Sequence, residues 1–278
     1  MVEIIRGFEA IVIGGKIRVR IETCSPVTIG SGKSTVDPLA PDIPLLRDSQ
    51  GRPIIPGSTL KGFFRSYIEK SLLAADIKNA ANIIDDLFGR TIGGEGWGSK
   101  ILFSDAIVKN NYKILSREHI QLDPQKMSVK HGPFEQEYIP ADTVFEGIID
   151  FRNIPPSMLS LLAPIILFTK IGVARIGRSK SRGYGCIEIK FDDPMFFLVG
   201  DFTDEEVEVK YRVKLANMNI EINVSKKNED IKVRDNITQK TFSGKIEMRN
   251  PLMIFTTFKW SDIEKTLDNV LKKLKGEK

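Results

Sequence analysis

The order of two kinds of apolar periodicity limits the folds open to this chain. Apolar and charged residues alternate from Lys16 to Thr23, which predicts a half-buried strand. From Leu60 to Leu72 an apolar residue recurs every four positions, which predicts a helix with one buried face. The order strand, helix, strand, strand, helix, strand predicts an α+β chain with an antiparallel sheet and both helices on one of its faces. The later strand patterns cover 100–108, 142–152 and 186–191, and the second helix pattern covers 155–170.

This order is that of a ferredoxin-like (RRM-like) βαββαβ unit, with two modifications. Asn110–Pro140 is polar and lacks a core pattern, which is typical of an inserted functional hairpin or a disordered arm. Alternating stretches and a final amphipathic segment in 199–278 predict a β-rich C-terminal extension, which is either a small subdomain or a continuation of the main sheet. We therefore expect a modified ferredoxin-like domain at 1–198, with the inserted segment at 110–140, followed by the extension at 199–278.

Charge and cysteine content limit the partner and the cellular compartment less strictly than periodicity limits the fold. The 278 residues include 41 Lys and Arg against 36 Asp and Glu, which gives a net charge of +5 and mildly favours a polyanionic partner. Cys24 and Cys186 have no neighbouring His or Cys that would suggest a zinc site. A reduced, cytoplasmic protein is the simplest interpretation, and a bridge between the two cysteines is the alternative. Because no signal-peptide pattern or bilayer-length apolar run occurs, we expect a soluble protein with no membrane partner.

The start of the first predicted helix is a candidate phosphate site. Pro56-Gly57 breaks the preceding strand, and Ser58 is expected to act as the N-cap. Lys61 and Arg65 lie one turn apart on a face other than the apolar one. They fall in the first two turns, where free backbone N–H groups and the helix dipole favour an anion.

The segment before this helix is irregular because each of its prolines removes a backbone donor and restricts the preceding residue. Asp42 lies between Pro41 and Pro44, and a hairpin turn at Asp48–Gly51 follows. An aspartate on a stiff loop near a phosphate site is a candidate catalyst or metal ligand. The alternative is a loop aspartate that caps a turn.

Gly30-Ser31-Gly32-Lys33-Ser34 is not a nucleotide-binding P-loop, although Gly-Lys-Ser invites that interpretation. Val27 stands where the P-loop motif requires its first glycine, and prolines follow where the motif requires a helix. A flexible glycine loop that lets backbone approach a ligand remains the prediction for Gly30 and Lys33.

The densest positive cluster of the sequence lies just before the strand pattern at 186–191. Arg175, Arg178, Lys180 and Arg182 alternate with glycine and serine, and Tyr184 supplies an aromatic ring that could stack on a base. This pattern predicts a cradle for a nucleic-acid backbone, and the alternative is a solvated basic turn.

Two motifs resemble those of a known family. The first is PGSTLKG at 56–62, followed by Arg65, and the second is SRGYG at 181–185. Together they resemble the RAMP superfamily of CRISPR-associated proteins, and more closely the repeated backbone subunit of type III (Csm/Cmr-type) effector complexes. The resemblance covers about Ile17–Phe191 and leaves the segment from about Val199 unmatched.

The resemblance implies an antiviral-complex subunit that stacks helically along a CRISPR guide RNA and contacts target RNA and other subunits. The segment at 110–140 would match the family's thumb hairpin, which displaces a base at regular intervals. Asp42 would match an aspartate needed for cutting of target RNA with Mg²⁺ or Mn²⁺. The RNA contacts expected in all are Gly30, Lys33, Ser58, Lys61, Arg65, Lys126, Met127, Lys130, Arg178, Lys180, Arg182, Gly183 and Tyr184.

A stand-alone RAMP endoribonuclease that processes CRISPR precursor RNA is the alternative function. Such enzymes usually rely on histidine or basic residues without a metal. The chain has only His119 and His131, both in the inserted segment and without a paired nucleophile in the sequence, which argues against this alternative. A metabolic enzyme on the same scaffold lacks any cofactor signature here.

Overall fold

The central strand of the sheet is β1 (Ile13–Thr23), which forms where the sequence alternates. The computed structural model describes residues 10–32, 41–92, 95–122 and 129–276. The next ten strands are β2 (Ile54–Ile55), β3 (Arg90–Ile92), β4 (Glu95–Trp97), β5 (Ile101–Phe103), β6 (Ala106–Val108), β7 (Leu115–Leu122), β8 (Val129–Tyr138), β9 (Val144–Arg152), β10 (Ile187–Phe191) and β11 (Met195–Val199).

Neighbouring strands around β1 run antiparallel. β1 pairs with β9 along one edge, and with β10 and β11 along the other. β5 and β6 pair with β9, and β2 pairs with β6. The chain is therefore a mixed α/β protein with a mostly antiparallel sheet, as the order of sequence patterns predicts.

Helices pack on the sheet through apolar rows. The predicted row of α1, which includes Leu60, Phe64, Ile68 and Leu72, is buried. The helix predicted at 155–170 is present, and its first half is a 3₁₀ helix that leads into the α-helix. Within the described ranges, no helix is long and apolar enough to cross a membrane. The helices of this part are α1 (Gly57–Ala74), α2 (Ala80–Phe88), a 3₁₀ helix (Pro156–Leu162) and α3 (Ala163–Lys170).

The start of α1 differs from the prediction. Pro56 is the N-cap, and Ser58 is an exposed residue of the first turn, so the assignment of Ser58 as N-cap is wrong. The Gly57 N–H donates to a carboxylate oxygen of Asp105 at 2.8 Å. A Cβ on Gly57 would lie 2.2 Å from the Phe103 carbonyl oxygen, so only glycine permits this close approach. An internal carboxylate therefore already occupies a donor that was expected to bind phosphate.

The buried face of β9 differs in part from the predicted one. The sequence pattern predicts that Val144, Ile148 and Phe151 point inward. Phe151 is 2% exposed, but Ile148 is 40% exposed, whereas Phe145 and Ile149 are each 1% exposed. Phe145 pairs with Ile21 and Ile149 pairs with Ile17, so the buried faces of β9 and β1 coincide. Because side chains alternate along a strand, this register turns Ile148 outward.

The C-terminal strands continue the main sheet. They form an antiparallel meander whose last strand pairs with β11, with Phe255 opposite Phe197. The amphipathic pattern at 261–274 predicts a single helix, but the structure has two helices there. The boundary expected between 198 and 199 stays a prediction. The elements are β12 (Glu206–Leu215), β13 (Met218–Lys227), β14 (Asp230–Asp235), β15 (Thr241–Asn250), β16 (Met253–Thr257), α4 (Trp260–Glu264) and α5 (Leu267–Lys275).

The polar insertion forms a hairpin of β7 and β8, a separate two-stranded sheet that a parallel bridge between Gln136 and Ile43 links to the segment after Asp42. This is one of the two forms predicted for it. Lys126 and Met127 lie outside the described residues, as does Lys33 of the glycine loop. Lys130 belongs to β8, but its side chain is not among those described.

Candidate nucleic-acid interface

A buried chain of hydrogen bonds joins three segments that are far apart in the sequence. Gln136 on β8 is 1% exposed, and its Nε2 donates to Thr28 Oγ1 at 2.9 Å. Its Oε1 accepts a hydrogen bond from Ser179 Oγ at 3.1 Å. Thr28 Oγ1 in turn donates to the Glu137 carbonyl at 2.8 Å. These bonds hold the root of the glycine loop, the root of the β7–β8 hairpin and the basic segment in one fixed arrangement.

The glycine-rich loop Gly177–Gly185 needs glycine at both ends. Gly177 (φ +82°) and Gly185 (φ +85°) adopt the left-handed region that disfavours other residues. A Cβ on Gly177 would lie 2.4 Å from the Thr28 carbonyl oxygen, and one on Gly185 would lie 2.2 Å from the Ile176 carbonyl oxygen. The loop therefore packs directly on backbone, and the Arg178 N–H donates to Thr28 at 2.9 Å.

Three predicted phosphate contacts extend from this loop into solvent. Arg178, Lys180 and Arg182 are exposed, and none has an ion pair with any residue that the structure describes. Arg175 differs, because its guanidinium donates to the carbonyl oxygens of Gly172 and Tyr184. The loop thus presents three unpaired cations on a rigid support.

Gly30 lies against this loop. A Cβ at Gly30 would be 3.0 Å from Arg178 Nε, so glycine leaves room for the guanidinium. The backbone of Gly30 forms a bridge with Leu45, on the segment that follows Asp42. The Gly30 segment and the basic loop are therefore adjacent.

Tyr184 does not offer a ring for stacking, and that part of the prediction is wrong. Its side chain is 2% exposed, packed edge-on to Tyr138 with ring centroids 6.0 Å apart. The Arg117 guanidinium lies over both rings, 5.8 Å from the Tyr184 centroid and 5.4 Å from that of Tyr138. Phe134 on β8 is only half-buried, so this aromatic side chain is available for stacking.

His119 is a packing residue at the root of the hairpin. Its ring stacks on Phe134 with centroids 5.3 Å apart. Its Nε2 is buried and has no hydrogen-bond partner among the described residues. Burial lowers the pKa of His119 below its usual value, and the nearby charges of Arg182 and Arg117 lower it further. The imidazole is therefore neutral near pH 7. The side chain of His131 lies outside the described part of the chain.

Asp42 is held at the same surface. It is exposed, and its Oδ2 accepts a hydrogen bond from the Glu135 N–H at 2.9 Å, so one oxygen anchors the loop to β8. This bond reaches a strand more than ninety residues away, so it is not the turn cap predicted as the alternative role of Asp42. Asp42 also lines a cavity of about 250 Å³ together with Gly32, Ile43, Phe134 and Arg178. This cavity brings a carboxylate, a guanidinium and an aromatic ring together.

The helix start is a separate feature. Lys61 is half-exposed, whereas Arg65 is committed to the protein: it pairs with Asp85 at 2.7 Å and donates to the Gly89 carbonyl at 2.7 Å. No hydrogen bond or ion pair among the described residues links Ser58, Lys61 or Arg65 to the glycine-rich loop. The expected phosphate site on α1 is therefore reduced to Lys61, because internal partners hold Arg65 and the Gly57 N–H.

We expect Arg65→Ala to lower the free energy of unfolding by about 1–2 kcal/mol and the melting temperature by about 2–6 °C, because α1 loses its tie to α2. The salt dependence of RNA binding should not change. Lys61→Ala is the matched control, since it removes the same charge from the same helix without breaking a described contact. Thermal unfolding and RNA titration of both variants check this, and a smaller salt dependence in Arg65→Ala alone would restore Arg65 as a phosphate contact.

Sequence reasoning missed four residues of the interface, which are Thr28, Phe134, Gln136 and Ser179. Phe134, Gln136 and Tyr138 alternate and so share one face of β8, which is a signal for that strand. Nothing in the sequence near Thr28 or Ser179 indicates that Gln136 joins them, because the bonds span more than a hundred residues in one case and more than forty in the other.

Two solved structures and one family model are similar to this chain. A subunit of the type III-B Cmr-beta complex bound to cognate target RNA is 14% identical, with a TM-score of 0.49, over 63% of this chain and 96% of that one. A Cmr-beta subunit in the apo state is 14% identical, with a TM-score of 0.47, over 64% and 97%. No curated protein matches the sequence. The model of the RAMP superfamily matches residues 20–188, more than half of the chain and all of the interface described above. The chain belongs to the RAMP superfamily.

Proposed function

We propose that this chain is a guide-RNA-binding backbone subunit of a type III CRISPR antiviral effector complex. Three unpaired cations, Arg178, Lys180 and Arg182, carry the proposal, because they extend from a loop that buried hydrogen bonds fix beside the hairpin. Cations that neutralise phosphates release counterions and supply affinity without reading sequence. A scaffold that must hold a guide of any sequence needs that kind of contact.

The fold suits this function. Across the sheet the order is β10, β1, β9 and then β5 with β6, with α1 and α3 contributing to the buried core beside it. We take this as the modified ferredoxin-like unit, with the β7–β8 hairpin as its thumb. β12–β16 lie beyond the segment that matches the family and form the proposed C-terminal extension. The proposed partners are the guide RNA, target RNA, other effector subunits, and copies or paralogues of this chain.

The direct test is purification of the complex from the native host, followed by sequencing of the bound RNA. We expect RNA that combines CRISPR repeat and spacer sequence, together with other subunits. Purification of this chain alone, or with RNA drawn at random from the transcriptome, would contradict the proposal.

Cleavage of target RNA is a second proposed activity, and the cavity beside Asp42 favours it. Oδ2 of Asp42 is bonded to Glu135, which fixes the carboxylate and leaves Oδ1 to act. No group of three His, Cys, Asp or Glu side chains among the described residues forms a metal site. Asp42 fits Mg²⁺ or Mn²⁺ only as a single carboxylate ligand, with RNA phosphates as the others, and such an ion would neutralise charge at the scissile phosphate. In this proposal Asp42 itself accepts the proton of a 2′-hydroxyl, and Arg178 holds the phosphate.

Asp42→Asn and Asp42→Ala separate chemistry from loop anchoring. The amide oxygen of Asn can still accept the Glu135 N–H, but it carries no charge and is a poor base. We expect both variants to bind RNA within about threefold of the wild type and to cut target RNA at least about 100-fold more slowly in the assembled complex. Gel analysis of labelled target with Mg²⁺ or EDTA measures this. Full activity of Asp42→Asn with loss in Asp42→Ala would leave Asp42 only its anchoring role.

The alternative, a stand-alone processing endoribonuclease, has less support. His119 is the one histidine whose side chain is described, and its Nε2 is buried. Incubation of the purified chain with repeat RNA in EDTA distinguishes the two functions. We expect no cutting under these conditions, whereas a single cut in each repeat would favour the processing enzyme.

A further inference from the structure

The two cysteines of this chain face each other across the central sheet, although they are far apart in the sequence. The pairing of β1 with β10 ends with Thr23 opposite Ile187, so the same register places Cys24 opposite Cys186. The Cys24 N–H donates to the Cys186 carbonyl at 2.9 Å, which extends the ladder to this pair.

This placement meets the geometric requirement for a disulfide. Opposite residues in an antiparallel pair have Cα atoms about 4.5–5.5 Å apart, and disulfides join Cα atoms about 4.4–6.8 Å apart. Both thiols are free, and Cys24 is exposed, so a small reagent can reach it.

The geometry points to Cys24 and Cys186 as a disulfide-forming site, with a low-molecular-weight disulfide such as oxidised glutathione as the co-reactant. The bond would join the root of the Gly30 loop to the root of the glycine-rich loop, Gly177–Gly185. The Gly185 N–H donates to the Pro26 carbonyl at 2.8 Å, and the Cys186 N–H donates to Ser25 Oγ at 3.0 Å. These contacts show that the two roots are already adjacent in the reduced protein.

The reaction balances as two thiol exchanges. One cysteine loses its proton and attacks a sulfur of oxidised glutathione, which forms a mixed disulfide and releases one reduced glutathione. The second cysteine then attacks the protein sulfur of that mixed disulfide, which closes the Cys24–Cys186 bond and releases a second reduced glutathione. The protein loses two electrons and two hydrogens, and the co-reactant gains both.

Ionisation makes this exchange slow at neutral pH. Desolvation, the adjacent Cys186 thiol and the charges of Glu188 and Glu22 together raise the pKa of Cys24 to about 11. Because the thiolate is the nucleophile, closure should proceed faster at pH 9 than at pH 7.

The test is incubation of the whole chain with oxidised glutathione at pH 9, followed by mass spectrometry under non-reducing conditions. We expect the monomer to lose about 2 Da and a linked peptide pair to contain both cysteines. The melting temperature should rise by about 5–10 °C, because the bond closes a long loop in the unfolded chain. Reduction of the same sample should reverse the change, which is a control that needs no variant.

Cys24→Ser and Cys186→Ser are the matched variants. Each retains one thiol, so each should gain one glutathione and show no rise in melting temperature. The inference is overturned if both wild-type cysteines remain alkylatable after oxidation, if each retains a glutathione, or if the main product is a covalent dimer. None of these outcomes bears on RNA binding, so failure here is distinct from failure of the proposed function.

Discussion

Replacement of Arg178, Lys180 and Arg182 together by alanine is expected to lower the affinity for single-stranded RNA about 100-fold, at roughly 1 kcal/mol for each lost phosphate contact. The slope of log K against log salt should fall by about 2, since each contact with a single strand contributes about 0.7. Filter binding at several salt concentrations measures both quantities. The variant should unfold at the wild-type temperature, because none of the three side chains has an ion pair in the described part of the chain.

The chain offers a control with the same change in charge. Lys210, Lys232 and Arg234 lie on the outer face of β12 and β14, are exposed, and also lack ion pairs among the described residues. Replacement of these three by alanine should change RNA affinity by less than about threefold at moderate salt, because they lie on strands that carry none of the proposed contacts and salt screens their charges. Equal losses in both triple variants would mean that RNA responds to net charge and not to the glycine-rich loop.

Gly185→Ala is expected to be the most damaging single substitution in the glycine-rich loop. The left-handed backbone costs about 1–2 kcal/mol for alanine, and the new Cβ would collide with the Ile176 carbonyl, so the total is about 3–5 kcal/mol, or about 6–15 °C in melting temperature. Because the loop carries the three cations, RNA affinity should fall as well. Thermal unfolding and RNA titration measure the two effects.

Gly183→Ala separates the collision from the backbone strain. Gly183 has φ +90°, but no heavy atom lies within 4 Å of the position that its Cβ would take. We therefore expect a loss of only about 1–2 kcal/mol, or about 2–6 °C. Equal destabilisation by the two substitutions would show that packing against Ile176 does not shape the loop.

The regular elements could be predicted because their signals are local. The alternation in β1 and the four-residue repeat in α1 need only a buried face on one side, and both are present. The turn at Asp48–Gly51 forms with its predicted residues, since the Gly51 N–H donates to the Asp48 carbonyl. The cationic loop could also be predicted, because like charges alternate with glycine and serine along this stretch of the sequence.

The errors arise where a distant partner decides the outcome. In the sequence Arg65 resembles a free cation, but in the structure it pairs with Asp85. Ser58 resembles an N-cap, but the Asp105 carboxylate accepts the hydrogen bond from the Gly57 N–H at the helix start. Tyr184 resembles a stacking platform, but Tyr138 and Arg117 cover it. A single sequence contains no signal for such long-range pairs. For the same reason, Gln136 at the centre of the interface went unnoticed.

Photo-crosslinking of the purified chain to single-stranded RNA that contains 4-thiouridine, with identification of the crosslinked peptides by mass spectrometry, tests most directly whether the two glycine loops and the hairpin root form one RNA surface. We expect crosslinks on Phe134 of β8 and within Gly177–Gly185, lost together in the variant that lacks Arg178, Lys180 and Arg182. Crosslinks confined to β12–β15, or unchanged in that variant, would contradict this arrangement.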